Sequence, residues 1–381
     1  MKKPVDSSSK KGSLKEIAQL FFKLGLIAFG GPASHVAMME DEVVKKRKWM
    51  TQEHFLDLMG ATNLIPGPNS TEMTMHCGHE RGGWKGLFVA GICFIFPAVV
   101  ITCIFAWAFV KYGQLPEVEP FIYGIKAAVI AIILSASYRL GKKAIKNNML
   151  AVLGLLTLAA CLFGVNEIAA LFACGFIGLA IHFAKSSMAS ASSFSPFLLP
   201  LFFAQVSVGP GKILLTFLKV GAILYGSGYV LFAFLDTELV ANGWLTRQEL
   251  LDAVAVGQFT PGPVLSTATF IGYQMNGIYG AIAATVGIFL PSFFFVLLLN
   301  PLIPKMRKSK WISAFLDAVN VAAVALIVAV CIEMGKETLT DWRTITIAIA
   351  SLVVVFGFKK LNSAYIVLGG AILGYILTFL G

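Results

Sequence analysis

Eight stretches of this chain run for about the length of a membrane helix with hardly a charge among them, at roughly 86–110, 121–138, 149–164, 168–184, 280–300, 312–332, 343–358 and 361–380. A hydrocarbon core about 30 Å thick takes about 20 helical residues to cross, and no soluble fold hides so many such stretches. Charged residues make up 13% of the chain and hydrophobic ones 57%. A soluble domain carries about 25% charge, so half the usual polar cover is missing and the surface must face lipid. A soluble enzyme is excluded, as is a disordered or collagen-like chain. A β-barrel is disfavoured, because the apolar stretches are continuous rather than alternating. The fold class is an all-α polytopic membrane protein.

The net charge of +10 does not point to nucleic acid, because the 30 Lys and Arg residues sit mostly in short loops between apolar spans. That placement reports orientation. Cys93, Cys103, Cys161, Cys174 and Cys331 lie inside spans and Cys77 follows a turn, so no disulfide framework is expected. Residues 1–13 read as a retained basic cytoplasmic tail, since no small-residue cleavage site closes an apolar core after Met1-Lys2-Lys3.

Four further apolar segments are interrupted. Those near 16–38 and 213–235 contain glycines, and those near 55–78 and 250–272 are broken by Pro-Gly-Pro. The interruptions expose an internal repeat. Phe22-Lys23-Leu24-Gly25 recurs as Leu218-Lys219-Val220-Gly221, and Trp49-Met50-Thr51 as Trp244-Leu245-Thr246. Pro66-Gly67-Pro68 recurs as Pro261-Gly262-Pro263; Gly83, Gly86 and Pro97 recur as Gly277, Gly280 and Pro291. The expected organisation is one repeat at 1–184, a small-residue linker at 185–212 and a second repeat at 213–381, each with about four to six membrane segments. Loop charges swap between the copies. Lys45-Lys46-Arg47-Lys48 corresponds to Asp236 and Glu238, and the basic Arg139–Lys146 loop to one holding Glu333, Glu337 and Asp341. Because Lys and Arg stay cytoplasmic, equivalent loops are expected on opposite sides, giving inverted repeats of the kind found in secondary transporters.

The breaks carry the candidate chemistry. Proline removes a backbone donor and ends a helix, so a new helix should begin near Asn69 or Ser70, with free N–H groups and the Ser70 and Thr71 hydroxyls beside them. Such an N-terminus attracts anions. Ser266 and Thr267 repeat the design after Pro261-Gly262-Pro263, and two half-helices meeting at midplane would cradle a small oxyanion; simple kinks are the alternative. Gly30-Gly31-Pro32, with its counterpart Gly226-Ser227-Gly228, offers close backbone approach either to substrate or to a neighbouring helix. His35 has Leu231 in its place in the second copy and is either a ligand or an interfacial histidine. Glu72, Lys23, Lys219 and Arg81 are candidates for coupling or anion attraction, against helix-dipole stabilisation for Glu72, snorkelling for the lysines and a cytoplasmic helix end for Arg81. Asp317 with Asn320 is a weaker coupling candidate. His76-Cys77-Gly78-His79-Glu80 invites a metal reading, but the second copy has Ile271-Gly272-Tyr273 there, and neither a metal nor a cofactor is expected. No P-loop, nucleophile elbow or zinc-protease helix occurs, so enzymatic activity is not expected.

Gly30-Gly31-Pro32, the loop with Trp49, Phe55-Leu56-Asp57, Leu64-Ile65-Pro66-Gly67-Pro68-Asn69-Ser70-Thr71, Phe96-Pro97 and Thr260-Pro261-Gly262-Pro263 together resemble the chromate ion transporter family in its long, two-domain form. The resemblance implies a multi-pass protein of the bacterial inner membrane that exports chromate, uses a proton gradient or anion exchange, and confers chromate resistance. It places the family's motifs on the glycine and proline positions just named. Sulfate or another oxyanion as substrate, and a passive anion channel, are the alternatives. The expected partners are a chromate- or sulfate-like oxyanion and the bilayer, with no nucleic acid; monomer and homodimer are both left open.

Overall fold

The computed structural model describes residues 13–29, 31–113, 115–186, 209–225, 228–299, 309–358 and 361–379. These residues form fourteen α-helices and no strand. The first seven are α1 (Leu14–Ile27), α2 (Pro32–Glu40), α3 (Gln52–Thr62), α4 (Asn69–Tyr112), α5 (Glu119–Ala144), α6 (Asn148–Leu162) and α7 (Glu167–Ser186). The second seven are α8 (Pro210–Ile223), α9 (Val230–Leu235), α10 (Arg247–Phe259), α11 (Thr267–Leu299), α12 (Lys310–Thr338), α13 (Trp342–Gly357) and α14 (Ser363–Phe379). Five segments are long and apolar enough to cross a membrane, in α4, α5, α7, α11 and α12, while α6, α13 and α14 are shorter apolar helices. Ile104, Leu155, Phe176, Phe294, Leu298, Val353 and Tyr365 are all more than half exposed, as lipid-facing side chains are. The chain is a multi-pass membrane protein. Most of the candidate linker, the basic residues Lys305, Arg307 and Lys308, and Lys359-Lys360 lie outside the described residues.

The motifs that recur in sequence recur as local structure. Thr51 caps α3 by accepting from the His54 N–H, and Thr246 caps α10 in a reciprocal pair with Glu249. Asn147 and Asp341 cap α6 and α13 in the same way. Both α2 and α9 run on into a π-helical turn, at Asp41–Lys46 and Asp236–Val240.

The longest helices are not straight. At 1.5 Å per residue, the 44 residues of α4 would reach about 66 Å, twice a hydrocarbon core. The chain instead folds back at Gly83 (φ 62°, ψ −156°), and α11 does so at Gly277 (φ 53°, ψ −145°), conformations that side chains resist. The arms then lie together: Gly78 packs on Gly86 and Ala90, Gly272 on Gly280 and Ala284, and Thr269 shares a hydrogen bond with Thr285 at 2.8 Å. The first arm of α4 also returns along α3, because His54 near the start of α3 pairs with Glu80 at 3.0 Å. So α3 and this arm make a hairpin with Pro66-Gly67-Pro68 at its tip. In a second hairpin, α1 and α2 with its π turn are held side by side by Lys23–Glu42 at 3.7 Å and Glu16–Arg47 at 3.7 Å, around a tip that includes Ala28, Phe29 and Gly31. The second copy shows the matching pair Lys219–Glu238 at 2.7 Å.

The remaining helices are exchanged between halves. From the first half, α5 packs on α13 and α14, with Gly124 against Gly370 and Gly374; from the second, α12 packs on α6 and α7, with Ala318 against Gly178. Neither half therefore completes its core alone. Replacing Gly83 or Gly277 with alanine should cost roughly 1–3 kcal/mol each, read as a lowered unfolding temperature of the purified protein in detergent. Wild-type stability in both variants would contradict the folded-back arms.

Candidate functional site

The hairpin tips of the two halves meet through their backbones. Gly67 donates its N–H to the Leu224 carbonyl just past α8 at 2.6 Å, and Gly262 donates to the Ala28 carbonyl just past α1 at 2.8 Å. The two bonds are equivalent under the repeat. Both glycines have positive φ, 139° and 86°, and both are pressed against the other half. A methyl group at Gly67 would land 2.5 Å from Ser292 Oγ and on the Glu72 carboxylate; at Gly262 it would land 2.6 Å from Ala98 Cβ. Ser292 follows Pro291 as Ala98 follows Pro97. Each Pro-Gly-Pro turn is thus seated on the proline-bearing helix of the opposite copy.

The frame is symmetrical, but the side chains on it are not. Helix α4 starts at Asn69, directly after the first turn and with no side-chain cap, so its first backbone N–H groups open toward the tips. Ser70 shares a hydrogen bond with His35 Nδ1 at 3.3 Å, and the His35 ring stands edge-on to Phe94. Thr71 and Glu72 follow, each 0% exposed. In the second copy these places hold Leu231, Leu265, Ser266 and Thr267. There the turn leads first into a 3₁₀ turn, Val264–Ser266, and α11 starts only at Thr267, whose hydroxyl donates back to the Val264 carbonyl. The second half-helix therefore begins later than a matched cradle requires.

Several buried polar atoms near these turns have no hydrogen-bond partner: His35 Nε2, Thr71 Oγ1, both Glu72 carboxylate oxygens, Gln258 Nε2, Ser266 Oγ and Ser292 Oγ. Buried polar atoms are nearly always paired, and each orphan costs about 1–3 kcal/mol, so a cluster of them marks a place for something polar to bind. Gly31 faces the Tyr229 hydroxyl at 3.6 Å from the position a methyl would take, and Tyr229 donates to Gln258 at 3.3 Å. Pro66, Pro68, Pro261 and Pro263 are buried around the same turns, with Pro32 opening α2 nearby, and Gly228 packs on Leu265. Gly30, Gly226 and Ser227 lie outside the described residues. Ser292, Gln258 and Tyr229 are additions that the motifs alone did not reveal. Aligning Leu290-Pro291-Ser292 with Phe96-Pro97-Ala98 would have shown the first of them, as a hydroxyl where the other copy has a methyl.

The remaining charged candidates are engaged elsewhere. Lys23 and Lys219 pair with the equivalent Glu42 and Glu238, and Arg81 pairs with Glu16 at 3.2 Å while lying over the Trp49 ring. Asp317 pairs with Lys146 at 2.6 Å. Glu80, from the His-Cys-Gly-His-Glu run, is held by His54. Outside the spans, Lys46 donates to Asp41 and holds that carboxyl below the usual carboxylate range, against the opposing effect of burial.

Four converging hairpin tips, backbone donors at a bare helix start and orphaned polar atoms inside an apolar helical body define a polytopic membrane transporter. The family model for the chromate transporter matches the chain twice, over residues 15–179 and 211–375. The chain belongs to the chromate transporter family. It is 32% identical over 375 residues to a probable chromate transport protein of Synechococcus elongatus, covering 96% of this chain and 95% of the relative. The chromate transport protein of Cupriavidus metallidurans is 30% identical over 96% of this chain and 93% of its own length, and that of Pseudomonas aeruginosa 29% identical over 96% and 92%. No solved structure matches the chain.

Because both lysine pairs are exposed on the lysine side, Lys23→Ala and Lys219→Ala should each lower stability by no more than about 1 kcal/mol in detergent unfolding. A much larger loss would mean that these lysines hold the tips in place.

Proposed function

We propose that the protein exports chromate across the inner membrane of a bacterium and thereby confers chromate resistance. The carrying observation is the group of orphaned polar atoms around the bare N-terminus of α4, against which a tetrahedral dianion finds backbone N–H donors, the Ser70 and Thr71 hydroxyls and, from the opposite copy, Ser292. The mutual seating of each turn on the opposite copy suits alternating access, since rocking one repeat against the other opens the site to one side and then the other. The swapped loop charges and the convergence of the tips support an inverted arrangement of the repeats. The hairpins then enter the bilayer from opposite faces and return.

Direction follows from electrostatics. Moving one charge through the membrane potential is worth about 2.3 kcal/mol per 100 mV, so a dianion leaving an inside-negative cell gains about twice that. Export is thus downhill electrically, and exchange for an entering anion adds to it. Sulfate has the same charge and shape and competes for the same donors.

The test is chromate flux in proteoliposomes, with and without an imposed pH gradient and with sulfate added, compared between wild type and Ser70→Val/Thr71→Val. Saturable, sulfate-inhibited flux is expected from wild type. A hydrogen bond to a charged group is worth roughly 1.5–3 kcal/mol, so the double variant should bind chromate about ten- to a hundred-fold more weakly while remaining folded and inserted. Linear, unsaturable flux would make the protein a channel, and unchanged affinity in a folded double variant would remove the site from this turn.

A further inference from the structure

Glu72 is the one acidic side chain in the site and has no counterpart, since the second copy holds Thr267 in its place. It is 0% exposed, and neither carboxylate oxygen has a hydrogen-bond partner. Its carboxyl folds back over Gly67, into the space that a Gly67 side chain would take and that Ser292 Oγ borders from the opposite copy. It therefore lies beside the backbone donors that open α4, where the helix end favours a negative charge. The titratable groups around it are Tyr225 at the second-copy tip, His35 through Ser70, and His76 one turn further along α4. No lysine or arginine forms an ion pair with it among the described residues.

We propose that the ionised Glu72 carboxylate, unpartnered beside the first turn, repels an oxyanion from the site, and that its protonation admits the substrate. This rests on the reading of the first Pro-Gly-Pro turn as the oxyanion site. The carboxylate has no hydrogen-bond partner to offset its charge, and in an apolar surround it and a dianion repel strongly. A proton taken up from water removes the repelling charge, and the neutral carboxyl can then donate its O–H to Ser292 Oγ or to an oxyanion oxygen. The anion therefore binds together with one proton, and binding strengthens as the pH falls. The asymmetry of the chain sets the number: one acidic residue, one turn, one proton per anion.

The experiment is chromate binding to the purified full-length protein by calorimetry, in buffers of differing ionisation heat, at several values between about pH 6 and 9. Chromate itself takes up a proton near neutral pH, so the informative quantity is the difference between wild type and Glu72→Gln. Wild type should take up about one proton per anion more than the variant. The variant should bind chromate with an affinity that follows only the anion's own protonation. Infrared difference spectra of wild type should show a carboxylic-acid C=O band on chromate addition that is missing from Glu72→Gln. Equal proton uptake in the two proteins, or no such band in wild type, would overturn the proposal, and the infrared measurement stands even where the variant does not fold. Absence of any chromate binding by wild type would instead overturn the oxyanion site itself.

Discussion

Backbone that leaves the helix inside a bilayer has no water to turn to, and every other feature of this fold depends on how that need is met. Here the interrupted segments satisfy one another. The Gly67 N–H is bonded to Leu224 and the Gly262 N–H to Ala28, so each half completes a break in the other. Non-helical backbone is tolerated at depth where it is enclosed in protein, and four hairpin tips gathered at one place provide the enclosure. The exchange of α5 and α12 between halves follows the same logic, because each supplies the packing that the opposite copy lacks. A chain built this way has irregular backbone, with its unspent donors, in its interior.

The duplicated frame then carries side chains that are not duplicated. Around the first turn are Ser70 with His35, Thr71, Glu72 and Ser292; around the second are Leu265, Leu231, Ser266, Thr267 and Ala98. The backbone is equivalent at the two turns, whereas an acidic side chain and a histidine stand only at the first. This differs from a cradle made equally by two half-helices. The difference begins locally: Val264 and Leu265 stand where Asn69 and Ser70 open α4, and the second turn tightens into a 3₁₀ turn before its helix starts.

Much of this was legible in the sequence, because the features that fix it are local and occur twice. The recurrence of Thr51 as Thr246 and of Gly83 as Gly277 could be read directly, and α4 begins at Asn69 as the proline before it requires; that the threonines cap helices and the glycines turn them back came from the structure. What was not legible depends on distant partners. Lys23 and Lys219 read first as snorkelling residues and second as anion-attracting ones until folding set Glu42 and Glu238 beside them. Ser292 is a lone hydroxyl in an apolar run, and its place against Gly67 comes only from the docking of one copy on the other. His54 and Glu80 lie far apart in the chain, so the hairpin they close was invisible to any reading of segment length.

The central claim is a single oxyanion site at the first Pro-Gly-Pro turn. The most direct measurement is an anomalous difference map, collected at the chromium absorption edge from crystals of the protein grown with chromate. One chromium peak beside the start of α4, within reach of Ser70, Thr71 and Ser292, is the result this account predicts. Chromium at the second turn instead, in equal strength at both turns, or away from the hairpin tips altogether would contradict it.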